Sequence, residues 1–174
     1  MLVYRNSKES GYSLIELIVT IVVTSIVIVI FYSVFGPNQR NSVSAVMQVK
    51  AAKLGQAYLE EISLKRFDES SPIGNLIRCN QTPAITCGTI TNEEGALNRS
   101  LFDDLDDYHG LADQPPKDSL GNTLSGFNNF SVTVQVSYAG NDFGLNNQDL
   151  KRIQVNVITP TNDTFVFSQY KGNF

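Results

Sequence analysis

The signatures of catalysis are missing from this chain of 174 residues. It has no G-x-S-x-G turn, no H-E-x-x-H helix and no glycine-rich phosphate loop, and histidine occurs once, at His109. Neither enzymatic activity nor a cofactor is expected. Basic charge is also scarce: 13 Lys and Arg stand against 17 Asp and Glu, a formal net charge of −4. No basic stripe tracks along the chain, which argues against nucleic acid as a partner. Internal repeats and low-complexity segments are absent. Cysteine is limited to Cys79 and Cys87, and the stretch "RCNQTPAITCG" around them offers no His, Asp or Glu to complete a metal site. The pair is expected to form one disulfide that closes a small loop and restricts the unfolded chain by about 2–3 kcal/mol.

Charge is missing most abruptly between Leu17 and Phe35. Nineteen helical residues at about 1.5 Å each reach roughly 28 Å, close to the thickness of a hydrocarbon core. The run is mostly Ile and Val, modest helix formers in water. Lipid reverses that disadvantage, because every backbone N–H and C=O must be paired within the segment and a helix does so alone. A membrane-inserted helix is therefore expected. Arg5 and Lys8 precede the run, with Glu9 and Glu16 as the acids, and the positive-inside tendency places the short N-terminus in the cytoplasm and the rest of the chain outside. A disulfide suits that compartment. The run is too long for a secretory signal and ends in "SVFGP", where bulky Val34 and Phe35 replace the small residues of a cleavage site.

The unusual residues stand before the run. "SGYSLIEL" combines a glycine, an aromatic, a polar residue, two aliphatics and Glu16, and it resembles the processing site of type IV pilins and their relatives. The resemblance implies cleavage between Gly11 and Tyr12 by a dedicated prepilin peptidase on the cytoplasmic side, methylation of the new amine of Tyr12, and retention of the helix. It also accounts for the acid. An unpaired carboxylate at membrane depth is costly, and cleavage releases a cation, the Tyr12 amine. Glu16 lies four residues on, about one helical turn, so the two groups can meet within one chain or between neighbours. Losing residues 1 to 11 removes Arg5, Lys8 and Glu9, leaving 11 basic and 16 acidic side chains, a net −5. Two features depart from the family pattern: Tyr12 replaces the commoner phenylalanine, and no proline interrupts the helix before Gly36-Pro37. That dipeptide is expected to bend or loosen the helix where it leaves the bilayer.

The sequence divides into a leader (1–11), a transmembrane and assembly helix (12–36), an amphipathic helix (37–69), a loop region with the cysteine pair (70–126) and a terminal antiparallel sheet (127–174). In the second helix, Val43, Met47, Ala51, Leu54, Tyr58 and Ile62 draw one apolar stripe, with Glu61 and Lys65 spaced for an i,i+4 pair. A short helix is expected over Leu101 to His109, capped by Ser100, with Asp103 in a variant capping box and Gly110 ending it. Leu101, Leu105 and Tyr108 would share a face. Beyond Gly126 the period becomes two: "FSVTVQVSY", "RIQVNVIT" and "DTFVFSQYK" read as three strands, with "TPTND" as the turn between the last two. The stripe from Val43 to Ile62 would cover their apolar face. The expected class is therefore α+β: a long N-terminal helix, its first half membrane-spanning, packed on a C-terminal antiparallel sheet, as the pilin resemblance also implies.

Further along, "VMQVKAAKLGQAYLEEI", the cysteine pair and "LFDDLDDYHGL" look like the D-type minor pilins of mannose-sensitive haemagglutinin pili. What this implies is a minor pilin held in the inner membrane with a periplasmic domain, then assembled with other pilins into an extracellular pilus and contributing to assembly or adhesion. A minor pseudopilin of a type II secretion system is the alternative within the superfamily. A membrane-anchored ligand-binding ectodomain is the alternative outside it. Two oxygen-rich stretches carry candidate metal ligands. Asp103, Asp104, Asp106 and Asp107 with His109 read as a solvated acidic helix, since no side of it gathers three ligands. In "GNDFGLNNQD", Asp142, Asn146, Asn147 and Asp149 offer oxygens for Ca²⁺ but lack EF-hand spacing. No metal is expected at the first, and the second is the calcium candidate.

Overall fold

The computed structural model describes residues 11, 13–35, 38–71, 78–80, 85–95 and 98–173, and of residues 38–44 the backbone alone. Residues 1–10 of the expected leader, Tyr12, and the helix exit at Gly36 and Pro37 lie outside the described residues, as does the side chain of Val43. The chain forms two compact units, Met1–Ala45 and Val46–Phe174.

The first unit contains α1, Leu14–Phe35. Ser13 O accepts the N–H groups of Glu16 at 3.0 Å and Leu17 at 3.2 Å, which starts the helix. None of its residues is buried, and apolar side chains surround it on every side, the pattern of a helix whose partner is lipid or other helices. Its serine and threonine hydroxyls are satisfied internally: Thr20 Oγ1 donates to Glu16 O at 2.7 Å, Thr24 Oγ1 to Thr20 O at 2.7 Å, Ser25 Oγ to Ile21 O at 2.8 Å and Ser33 Oγ to Ile30 O at 2.8 Å. That back-bonding removes the cost of carrying a hydroxyl into hydrocarbon. The helix is long and apolar enough to cross a membrane.

The second unit begins within α2, Asn38–Ser63. Ala51, Leu54, Tyr58 and Ile62 are buried and Met47 is partly so, as the stripe predicts. They cover an antiparallel sheet of four strands in the order β1-β2-β3-β4: β1 Ala112–Asp113, β2 Ser131–Tyr138, β3 Leu150–Ile158 and β4 Thr164–Gly172. The period of two places Val132, Val134 and Val136 of β2 and Ile153, Val155 and Val157 of β3 in the core. The three expected strands are β2, β3 and β4. β1 is an addition, two residues paired with Val132 and Thr133, too short for a periodic signal. The expected turn closes β3 onto β4, with Thr159 N–H donating to Asp163 O at 2.9 Å and Asn162 at φ 65°. Cys79 and Cys87 are disulfide-bonded.

The expected helix from Leu101 to His109 does not form. In its place are two short 3₁₀ turns, Arg99–Leu101 and Asp106–Tyr108. The reason is local: Asp107 Oδ2 takes the N–H groups of Asp103 (2.8 Å) and Asp104 (3.2 Å), and Asp104 Oδ1 takes those of Asp106 (2.7 Å) and Asp107 (3.2 Å). Aspartates that capture nearby backbone donors offer an alternative to the helix. Ser100 is not the cap, Leu101 is exposed, and Phe102 is buried with Leu105 and Tyr108 instead. Gly110 does end the turn, at φ 76°.

Gly55 lets α2 and β4 approach closely. A Cβ there would lie 2.3 Å from Cδ2 of Phe167. Gly55→Ala should therefore lower stability, although alanine is the better helix former by about 1 kcal/mol, because overpacking costs typically 1–3 kcal/mol. Chemical denaturation of the two proteins checks it; a more stable alanine variant would show that the Phe167 ring moves freely.

Candidate functional site

Gly11 stands ahead of α1, and a Cβ added to it would meet nothing within 4 Å. Glu16 lies in the first turn of α1 with an exposed side chain, at the helix end where the dipole favours negative charge. Tyr12 belongs to the same proposed processing and assembly site but lies outside the described residues. Thus two of the three N-terminal residues, Gly11 and Glu16, bracket the start of the helix, separated by a single turn and its lead-in.

The second unit carries two buried charge centres that the sequence reading missed. Lys151, 0% exposed, is the second residue of β3, in phase with Ile153, Val155 and Val157. Its Nζ donates to Phe67 O at 2.6 Å and Asp106 Oδ2 at 2.6 Å, and lies 3.3 Å from Asp68 Oδ2. It sits over the rings of Phe67 and Tyr138 at 4.5 and 5.1 Å, where the π faces favour a cation. Burial pushes the Asp68 carboxyl up, but the Lys151 ammonium and the N–H groups of Ser70 and Gly88 outweigh it and leave its pKa lowered. The strand alternation was the available signal, because it assigns Lys151 to the inner face. Arg99 forms the other centre. Its Nη1 meets Asp113 Oδ2 at 2.5 Å and its Nη2 meets Glu61 Oε1 at 3.3 Å, beneath the rings of Tyr58 and Tyr108. Tyr58 and Tyr108 donate their hydroxyls to Asp113 and Glu61, and burial pushes both phenols upward. Glu61 is thus committed to Arg99, while Lys65 Nζ donates to Phe102 O at 2.6 Å; the expected Glu61–Lys65 pair gives way to these partners.

The acidic run is not a solvated face. Asp104, Asp106 and Asp107 are buried, and His109 leaves them, its Nδ1 lying 2.8 Å from Val136 O. Glu94, from the segment after the disulfide, joins them instead. Hydrogen bonding with the neighbouring Asp107 carboxyl, ahead of burial, is the main reason its pKa is pushed up to about 7. Burial, then the charge of Asp107, pushes Asp104 up to about 6. Asp142 falls in a 3₁₀ turn, Gly140–Phe143, and Asn147 and Asp149 in the next, Asn147–Asp149, with Asn146 just ahead of it. Asp142, Asn146 and Asn147 are exposed and Asp149 half-buried.

A long apolar N-terminal helix followed by an α+β unit with a four-stranded antiparallel sheet is a type IV pilin-like arrangement. Residues 6–32 match the prokaryotic N-terminal methylation motif. That motif supports a type IV pilin or pseudopilin, a structural subunit anchored by its helix and processed by prepilin peptidase. No curated protein and no solved structure matches the chain.

Lys151→Met leaves Asp68 and Asp106 without their cation and should cost about 3–5 kcal/mol, as removal of one partner from a buried pair does; urea unfolding of the folded chain measures it. Glu94 and Asp104 hold protons in the folded state to higher pH than unfolded carboxyls near 4. The folded chain therefore binds more protons between about 4 and about 7, and this contribution to stability is full below that window and lost as pH rises through it. In buffer free of divalent ions, the thermal midpoint of Glu94→Gln should fall less steeply across the window than that of the unaltered chain; parallel curves would refute the assignment.

Proposed function

We propose that the chain is a minor pilin of a type IV pilus, related in kind to the D-type minor pilins of mannose-sensitive haemagglutinin pili. The observation that carries this reading is the methylation motif over residues 6–32 running directly into a fully exposed apolar helix. Prepilin peptidase cuts after Gly11, the amine of Tyr12 is methylated, and α1 holds the subunit in the inner membrane with its sheet domain in the periplasm until assembly. During assembly Glu16 meets the Tyr12 amine of a neighbouring subunit. Apolar side chains slide against one another as readily as against lipid, so helix packing alone leaves the axial register loose. One charge pair fixes it, because any other register leaves a carboxylate unpaired in a medium that penalises it. The globular unit, stiffened by its disulfide and buried charges, is the part displayed on the fibre, where it contributes to assembly or adhesion.

The mature protein should lack residues 1–11 and carry one added methyl group on Tyr12, read by mass spectrometry of the membrane-extracted chain. Gly11→Leu should leave the leader attached, since the side chain obstructs the peptidase and no packing of the chain itself. Glu16→Ala should be cleaved normally yet be depleted at least about tenfold from sheared fibres, the equivalent of about 1.4 kcal/mol in an assembly equilibrium. Normal processing of Gly11→Leu would overturn the reading. A chain required for protein secretion and absent from sheared pili would move it to the pseudopilins.

A further inference from the structure

At one end of the sheet three chain segments surround an open hollow of ≈ 440 Å³, within the range of about 300–1,000 Å³ usual for small-ligand sites. Gln114 lines it from the residue after β1, Asn128 and Asn129 from the lead into β2, and Pro160 and Asn162 from the turn between β3 and β4. Each segment is anchored beside the hollow. Asp113, next to Gln114, is held by Arg99 and Tyr58. Phe130, next to Asn129, is buried in the core and donates its N–H to Phe127 O at 2.9 Å. In the turn, Asp163 N–H donates to Thr159 Oγ1 at 3.1 Å and Thr161 Oγ1 to Asp163 Oδ2 at 2.7 Å. The walls are therefore preformed, as those of ligand sites usually are.

The chemistry of the lining is narrow. Lys, Arg, Asp and Glu make up 17% of the chain, yet none of the described ones lines the hollow. A phosphate or carboxylate finds no cation there, and a metal ion no anion. Ile158 and Pro160 are its apolar part, too little to wall in a lipid chain. The other lining residues carry amides and hydroxyls. The side chains of Gln114, Asn128, Asn129 and Asn162 are exposed and, among the described residues, make no hydrogen bond within the chain. A side-chain amide presents an acceptor and two donors together, so it matches a partner whose groups both donate and accept. Adjacent hydroxyls on a sugar ring are such groups, and Ile158 and Pro160 suit the ring's C–H face. A peptide is read through apolar or charged pockets for its side chains, and this lining supplies neither.

We propose that this hollow binds a neutral oligosaccharide, whose hydroxyls are gripped by the amides of Gln114, Asn128, Asn129 and Asn162. The inference gives a ligand class to the displayed unit of the function proposed above, and in that respect it rests on that reading. The site itself belongs to the folded second unit alone. Each contact exchanges a hydrogen bond to water for one to the chain, so its net gain is small. One site therefore holds a sugar weakly, and firm attachment requires several copies to engage one glycan-covered surface at once.

The test uses the full membrane-extracted chain, in a detergent without a sugar headgroup, and saturation-transfer NMR, which detects weak binding. The probes are neutral oligosaccharides of glucose, mannose and N-acetylglucosamine, with an oligogalacturonate as the anionic control. At least one neutral probe should bind saturably, and the anionic one should not. Gln114→Ala and Asn129→Ala, at exposed positions, should each weaken that binding at least about fivefold. Asn141→Ala removes an exposed amide from the turn after β2, at the opposite end of the sheet, and should leave binding unchanged. Failure of every neutral probe to bind a chain with its sheet and disulfide intact would overturn the proposal. So would equal binding of the anionic probe, undiminished binding in both hollow variants, or loss of binding in Asn141→Ala. Leader removal and entry into sheared fibres are read separately, so the pilin reading and the sugar site can each fail alone.

Discussion

The globular unit depends on where one ammonium ends. Lys151, the second residue of β3, faces inward with the valines and reaches Phe67 O, Asp68 and Asp106. These groups belong to two stretches outside the long helices and strands: the exit of α2, with Phe67 and Asp68 adjacent, and the acidic turn, with Asp106. A lysine fully removed from water is expensive unless its hydrogen-bonding capacity is met, and here three oxygens meet it. The consequence runs both ways. The loops cannot move without stranding a charge, and the charge cannot be buried until the loops arrive, so local order and tertiary order become one event. The backbone contacts agree: Arg66 N–H donates to Asp103 O and Leu105 N–H to Arg66 O, both at 3.1 Å, which lays the exit of α2 alongside the acidic turn.

What was legible in the sequence was what repeats. The stripe from Met47 to Ile62, the alternation in β2 and β3, and the "TPTND" turn each arise from a periodic relation between side chain and solvent, and the structure reproduces them. The acidic turn was not legible, because a spacing argument must assume a conformation before it can say which residues share a face. With a helix assumed, Asp104 and Asp107 looked like surface charges. Their own carboxylates dismantle that helix by taking its N–H groups. Partners distant in sequence, such as Arg99 with Asp113 and Glu61, or Glu94 with Asp107, leave no local trace. Lys151 is the intermediate case, since the alternation assigned it to the inner face and only its charge argued against that.

The two units use polar groups in opposite ways. In α1 each serine and threonine hydroxyl turns back on its own helix, so these donors are answered without a partner from elsewhere. Glu16 is different: it is exposed in the first turn, and among the described residues no cation forms an ion pair with it. In the second unit the polar groups are gathered inward and answered by cations of the same chain. An answered carboxylate in a core fixes a shape.

The disulfide bears on this through its neighbours. Gly88, next to Cys87, gives its N–H to Asp68 at 2.9 Å, and Asn173 Nδ2 donates to Cys79 O at 2.9 Å. Closing the loop between the cysteines therefore sets the place of a donor to the acid that Lys151 needs, and it draws the end of β4 onto the same spot. With the thiols reduced, the loop would be free to open and Asp68 would lose a donor that holds it beside Lys151. Joining the two thiols is therefore coupled to the placement of the buried lysine: the donor beside Asp68 and the anchor of Asn173 are both set by the closed loop.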